Sequence, residues 1–177
     1  MVKDRLCFAR AKPLDQNLIE AWLTQPHIRE WLHGEGLANT LASLRQSFEG
    51  TSDYQHWIAY DGDVPFGYLL TSDADQEEDA FTSIAFSGNR AITLDVFIGE
   101  PDFLDRGFGT AMIREFLRTQ FPTASDVIID PEAANERAVH VYQKLGFRII
   151  ETFIAPWHPV PHVLMHMRGD ALKALIE

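Results

Sequence analysis

A strand that runs into a glycine turn and then a helix constrains this chain more than any other feature. Ala91-Ile92-Thr93-Leu94-Asp95-Val96-Phe97-Ile98 is an apolar run of strand character. Arg106-Gly107-Phe108-Gly109-Thr110-Ala111 follows it at the start of a helical pattern, in which Ile113, Phe116, Leu117 and Phe121 form a core-facing stripe. Glycines at such a junction let backbone N–H groups come close to a ligand. The helix start adds unpaired donors and the positive end of a dipole. The turn is therefore a candidate anion site, most naturally for phosphate or pyrophosphate, and Arg106 adds a permanent charge. A P-loop would need Gly-Lys-Ser or Gly-Lys-Thr, and a dinucleotide fingerprint would need a third small residue where Met112 stands, so neither applies. A turn whose glycines serve geometry alone is the competing reading.

A second segment shifts that balance. After the short strand Val127-Ile128-Ile129-Asp130 comes Asn135-Glu136-Arg137-Ala138-Val139-His140-Val141-Tyr142-Gln143-Lys144-Leu145-Gly146-Phe147. Ala138, Val141, Tyr142 and Leu145 recur at helical spacing. Gly146 is placed to end the helix in a left-handed conformation, and Phe147 opens a further strand. With both segments in view, the chain resembles the GNAT N-acetyltransferase superfamily. Arg106, Gly109 and Ala111 match the family's acetyl-CoA loop, Gln/Arg-x-x-Gly-x-Gly/Ala. Asn135, Ala138, Tyr142, Gly146 and Phe147 match its next helix. The likeness runs from about Leu6 to Arg168.

The length of 177 residues suits one domain over 1–177 with a substantial core. Its apolar runs are too short to cross a bilayer, and Met1-Val2-Lys3-Asp4-Arg5 lacks the pattern of a signal peptide. The single cysteine, Cys7, makes no internal disulfide and is read as core of a first strand; a cytoplasmic location is expected. The net charge of −11 argues against nucleic acid and suits a cationic small-molecule amine. Either a monomer or a homodimer is compatible with this composition.

Leu18, Ile19, Trp22 and Leu23 give a first helix, Pro26 begins a second, and Thr40 is the expected N-cap of a third with Leu41, Leu44 and Phe48 inward. Trp57–Tyr60 and Phe66–Thr71 flank Asp61-Gly62 as a hairpin. Ser72–Asp79 is an acidic loop, whose acids are either a cation-attracting lip or a solvated surface. Val163–Met167 is a late strand and Asp170–Ile176 a closing helix. The order predicts an α/β or α+β fold: a mixed, mostly antiparallel sheet flanked by helices. The resemblance adds a splay of that sheet at the acetyl-CoA site.

Transfer of an acetyl group to an amine needs a neutral amine, donors for the developing oxyanion, and a proton for the departing thiolate. Asp95 shares a strand face with Thr93 and Phe97, so it either faces a cleft or has a satisfied partner. As a carboxylate it is the candidate to bind and orient the ammonium, with water carrying the proton. The resemblance puts Tyr142 near the sulfur as the acid, although packing on the helix stripe also accounts for it. It implies further that backbone N–H groups of Val96, Phe97 and Ile98 meet the acyl carbonyl and pantetheine. Residues Arg106, Gly107, Phe108, Gly109, Thr110 and Ala111 would hold the pyrophosphate, and Asn135, with Ala138, would meet the cofactor arm. Asn135 as a simple helix cap is equally open. Asp130 is a candidate second amine contact or an Asx turn. Trp22 and Trp31 are candidates to stack on a sugar ring, or core. The seven histidines show no tight metal-ligand spacing, and no metal is expected.

Within the superfamily the chain looks closest to the aminoglycoside 6′-N-acetyltransferases. The shared features are Glu20-Ala21-Trp22-Leu23, Pro26-His27-Ile28-Arg29-Glu30-Trp31, Asp95 at a matching distance from Gly109, and Asp130-Pro131 before Asn135-x-Arg137-Ala138. The implied reaction is direct attack of a primary amine on acetyl-CoA through a tetrahedral intermediate, without metal. One departure stands out. Those enzymes carry a further acid in the loop before the last strand, whereas Ala155–His162 here has none. The alternatives are a siderophore-type acyltransferase, which usually has histidine in place of Asp95, and a non-catalytic acyl-CoA-binding module.

Overall fold

The 91–98 run is the central strand of a seven-stranded sheet. A computed structural model describes residues 6–74, 81, 83–156 and 158–177. Its strands are β1 (Leu6–Arg10), β2 (Gln55–Asp61), β3 (Val64–Asp73), β4 (Ala91–Ile98), β5 (Asp126–Ile129), β6 (Arg148–Ala155) and β7 (His158–Arg168). Its helices are α1 (Gln16–Leu23), α2 (Pro26–Arg29), α3 (Gly34–Phe48), α4 (Phe108–Gln120), α5 (Glu136–Leu145) and α6 (Gly169–Ile176). The spatial order is β1-β2-β3-β4-β5-β7-β6. Every neighbouring pair is antiparallel except β4–β5. A parallel pair needs a crossover, and α4 supplies it. Among the described residues no helix is long and apolar enough to cross a membrane.

Period-two alternation sends each strand's side chains to two cores. On one face Trp57, Leu69, Ile92, Leu94, Val127 and Met165 pack against α4, α5 and α6 through Phe116, Tyr142 and Leu172. On the other, Ile58, Tyr68 and Leu70 pack against α1, α2 and α3 through Trp22, Ile28 and Leu44. Further along that second face, Ala91, Ile128 and Leu164 are covered by Phe81, Ile84 and Phe86. This last cover is pinned by Asp126, whose carboxylate accepts from the Ser87 N–H at 2.9 Å and lies 2.8 Å from His166 Nε2.

Four local readings change. Helix α3 begins at Gly34, and Thr40 lies inside it, its hydroxyl donating to the Gly36 carbonyl at 3.0 Å. Gly34 and Gly36 in its first turn are tolerated because its buried Leu44 packs on the sheet. Cys7 is exposed rather than core: its neighbours Leu6 and Phe8 take the inward face of edge strand β1. β5 covers Asp126–Ile129, which leaves Asp130 just beyond it. Finally, the expected loop before the last strand is largely strand, since β7 starts at His158. Pro161 fits there because it only accepts, from the Ala133 N–H at 2.8 Å. Of the acidic stretch, Asp73 ends β3, whereas Asp75, Glu77, Glu78 and Asp79 lie outside the described residues, as do Met1–Arg5 and Trp157.

Two contacts set conditions for stability. A Cβ added at Gly99 would fall 2.2 Å from the buried Trp22 ring, whose indole N–H donates to Glu100 at 2.7 Å. Gly99→Ala should therefore cost about 1–3 kcal/mol in chemical denaturation, as overpacked cores do. The second contact is His56, buried between Ser43 of α3 and the Tyr68 hydroxyl of β3. Burial first, then the charge of Arg10, outweighs the Ser43 hydrogen bond and pulls its pKa down to about 4. A ring held neutral in the fold but ordinary in the unfolded chain loses stability as pH falls from about 6.5 towards 4, and no further below that. An NMR titration should place the His56 midpoint near 4; a midpoint near the unfolded value would show a solvated ring.

Candidate active site

Pairing of β4 with β5 stops at Thr93–Ile128. Beyond it β4 runs on to Ile98 without pairing to β5. On its other edge β4 stays bonded to β3 as far as Gly67–Ile98. The strands thus open a wedge whose wall is backbone N–H and C=O groups that need partners. The Ile98 carbonyl already has one, accepting from His27 Nε2 at 2.9 Å, which fixes α2 on the end of β4.

Asp95 sits in a gap between two covers. On its face of β4, Ala91 belongs to the cluster under Phe86, and Phe97 belongs to the cluster under α1–α3, stacked on Tyr68. Neither cover reaches the middle, so the Asp95 side chain is exposed. Its exposure removes the burial cost of a mid-strand carboxylate. Asp130 follows Ile128 by one period of the same alternation, on the side of the wedge opposite β4.

Tyr142 comes to the wedge from the other face. It is 7 % exposed and packs on Phe147 in the main core. Burial first, then the charges of Asp95 and Asp130, push its phenol above the usual tyrosine range. Both carboxylates are therefore within electrostatic reach of the ring, and the phenol stays a neutral donor throughout physiological pH. Tyr68 shows the same pattern, raised by burial and then by Asp95, although its hydroxyl is engaged by His56.

The glycine turn closes the wedge at the end of α4. Gly107 is its N-cap in the left-handed region, with φ 79°. The first intrahelical bond is Ala111 N–H to the Gly107 carbonyl at 3.1 Å, so the N–H groups of the preceding turn point out of the helix. A Cβ at Gly109 would meet nothing within 4 Å, so neither packing nor backbone conformation demands glycine there. The space is open to a bulky anionic group, which is what a pyrophosphate cradle requires. Phe108 and Ala111 turn their side chains into the core and offer only backbone. Thr110 is half-buried. Arg106 is exposed, bonded to the Asp102 carbonyl at 2.9 Å and lying over the Phe103 and Phe108 rings. Asp105, in the left-handed region at φ 59°, ties this turn to α5 through Arg137 at 2.7 Å.

Other predicted residues separate. Asn135 is a helix cap: its Oδ1 accepts the Ala138 N–H at 3.1 Å, which also engages that N–H. Trp22 is 2 % exposed and belongs to the core, not to the surface that sugar stacking needs. Trp31 is half-buried at the α2–α3 connection. A cavity of ≈ 540 Å³ lined by Arg10, Asp53, His56 and Asp73 lies at the β1–β2 side and includes none of the predicted site residues. A grouping that linear spacing hides is His33, Glu132 and His158, whose ligand atoms lie within 4.8 Å of one another.

Comparison with known proteins agrees with this geometry. The acetyltransferase (GNAT) domain family matches residues 12–154. The chain is 26 % identical over 165 residues to the aminoglycoside N(6′)-acetyltransferase type 1 of Klebsiella pneumoniae, covering 85 % of this chain and 77 % of that one. The crystal structure of an aminoglycoside N(6′)-acetyltransferase from Legionella pneumophila superposes with a TM-score of 0.85 at 44 % identity, covering 98 % of each chain. AAC(6′)-Ib in complex with ribostamycin and coenzyme A superposes at 0.78 with 25 % identity, covering 96 % of this chain and 97 % of that one.

Proposed function

The chain belongs to the GNAT acetyltransferases and is an acetyl-CoA-dependent N-acetyltransferase, and from that premise we propose that its acceptor is the 6′-amine of an aminoglycoside or a closely similar polycationic amine. The observation that carries this reading is the exposed Asp95 carboxylate in the gap of β4, within electrostatic reach of Tyr142 together with Asp130. Two carboxylates on one cleft suit an acceptor with several ammonium groups. The names of the relatives point the same way.

The proposed roles follow from the geometry. The outward N–H groups of the first turn of α4, with Gly107 and Gly109 leaving room, hold the pyrophosphate. The stretch of β4 beyond its pairing with β5, at Val96, Phe97 and Ile98, receives the pantetheine amides and offers donors to the acyl carbonyl. Asp95 binds the ammonium and holds the reacting nitrogen, and water takes the proton, because a carboxylate is a weak base towards an ammonium ion. Tyr142 donates to the departing thiolate, its phenol kept protonated by burial and by the two carboxylates. Attack is direct. The only cysteine, Cys7, is exposed on edge strand β1, away from β4, so no thiol is placed to carry the acetyl group. Asp130 binds a second ammonium, and Trp31 lies on the acceptor side. Where the relatives' further acid was expected, the β6–β7 hairpin brings His158 and His162.

Thiol release from acetyl-CoA should be saturable with kanamycin or tobramycin and weak with spermidine, hydroxylated ornithine or peptides. Turnover confined to the latter set would replace the acceptor. Asp95→Asn should lower kcat/KM for the aminoglycoside by about 10²-fold or more with unchanged coenzyme A affinity; full activity would make Asp95 structural. Gly109→Asp should fold normally, since a side chain there meets open space, yet bind coenzyme A far more weakly by calorimetry. Unchanged affinity would remove the pyrophosphate from this turn.

A further inference from the structure

His33, Glu132 and His158 come from three separate parts of the chain. His33 is the N-cap of α3, Glu132 lies between β5 and α5, and His158 opens β7. We propose that they form a site for one divalent cation of the zinc class, on the acceptor side of the cleft and outside the transfer chemistry.

The distances carry the argument. Glu132 Oε1 lies 2.8 Å from His158 Nε2 and 3.9 Å from His33 Nε2. Ligand atoms about 2.0–2.1 Å from a tetrahedral zinc stand roughly 3.3 Å apart, so the observed pair of distances brackets the required one. The two imidazole nitrogens lie within 4.8 Å of each other, so side-chain movements on the order of 1 Å would seat an ion. Two imidazoles and a carboxylate are a zinc-type donor set, with water in the fourth position.

Glu132 Oε1 supplies a second, independent observation. It is buried and has no hydrogen bond, despite the close His158 nitrogen. The approach has the distance of an ion pair without the direction of a hydrogen bond. A simple Glu132–His158 pair accounts for neither that misdirection nor the presence of His33, whose ring stands edge-on to His158 with centroids 4.4 Å apart. A cation between the three atoms accounts for both, and gives the buried oxygen the partner it needs.

The backbone around Glu132 is already fixed. Val163 N–H donates to Pro131 at 2.9 Å and Ala133 N–H to Pro161 at 2.8 Å, so the carboxylate is presented from a short bridged segment against β7. An ion there would join the α2–α3 connection, the β5–α5 segment and the β6–β7 hairpin. Asp130 is two residues before Glu132, so the clamp would hold the wall that carries it.

The test uses the full chain, stripped with a chelator and assayed without acetyl-CoA or amine, so its result does not depend on the acceptor assigned above. Zinc should bind with one equivalent by equilibrium dialysis and raise Tm. Cobalt(II) should give the intense visible bands of a tetrahedral site. His33→Gln, Glu132→Gln and His158→Gln should each weaken cobalt binding by more than about tenfold, the scale set by loss of even an outer partner. Retained coenzyme A affinity would certify that the variants are folded. Absence of stoichiometric binding by the wild type would overturn the site, as would binding that persists in all three variants.

Discussion

The parting of β4 from β5 after Thr93 is the constraint on which the rest of the molecule depends. A parallel pair is joined by a crossover helix, here α4, which follows β4 in the chain. The strand beyond the pairing and the helix start each leave backbone groups that the sheet and the helix do not bond. Neither would be stable as buried surface, because each unpaired backbone group costs on the order of 1–3 kcal/mol when withdrawn from water. The wedge is tolerable where it stays open to solvent or to a ligand's acceptors.

The sheet's two faces then divide the labour. The face towards α4, α5 and α6 is continuous core, and it holds the Tyr142 ring in position. The opposite face is covered in two patches that do not meet. Asp95 occupies the interval between them. Burial of the phenol and exposure of the carboxylate are thus consequences of one asymmetry. Full cover on one side keeps a tyrosine neutral, and interrupted cover on the other leaves an aspartate exposed to solvent. The network Ser43–His56–Tyr68 braces this second face, carrying α3 to the strand beside β4.

Most of the fold was legible because it is written in local periodicity. β4, α4 and α5 follow directly from alternation and helical spacing, and Gly146 caps α5 at φ 106°, as its position beside Phe147 implied. Errors arose where long-range packing overruled local signals. Thr40 has the chemistry of a cap, but Leu44 packing carries the helix back to Gly34. The prolines of the 155–162 stretch read as loop, yet Pro159 and Pro161 lie in β7, and the Pro161 carbonyl accepts the Ala133 N–H. Trp22 was compatible with either core or surface, and its burial among Ile19, Ile28 and Tyr68 places it in the core. Cys7 reads as apolar in sequence, and edge-strand alternation turns it outward.

The two halves of the candidate site differ in legibility for the same reason. The half assigned to coenzyme A is mostly backbone within one continuous stretch, β4 to α4, so its glycines and spacing are visible to the eye. The half proposed for the acceptor rests on side chains carried by separate elements, Asp95 on β4 and Asp130 after β5, and the neighbouring group joins His33 before α3 to His158 on β7. No interval in the chain relates His33 to His158; the tertiary fold alone does. A family can thus keep its cofactor turn recognisable while the acceptor wall varies by single substitutions. In this chain the donor turn can be read at once, whereas the nearness of Glu132 to His158, the first residue of β7, shows only in the fold.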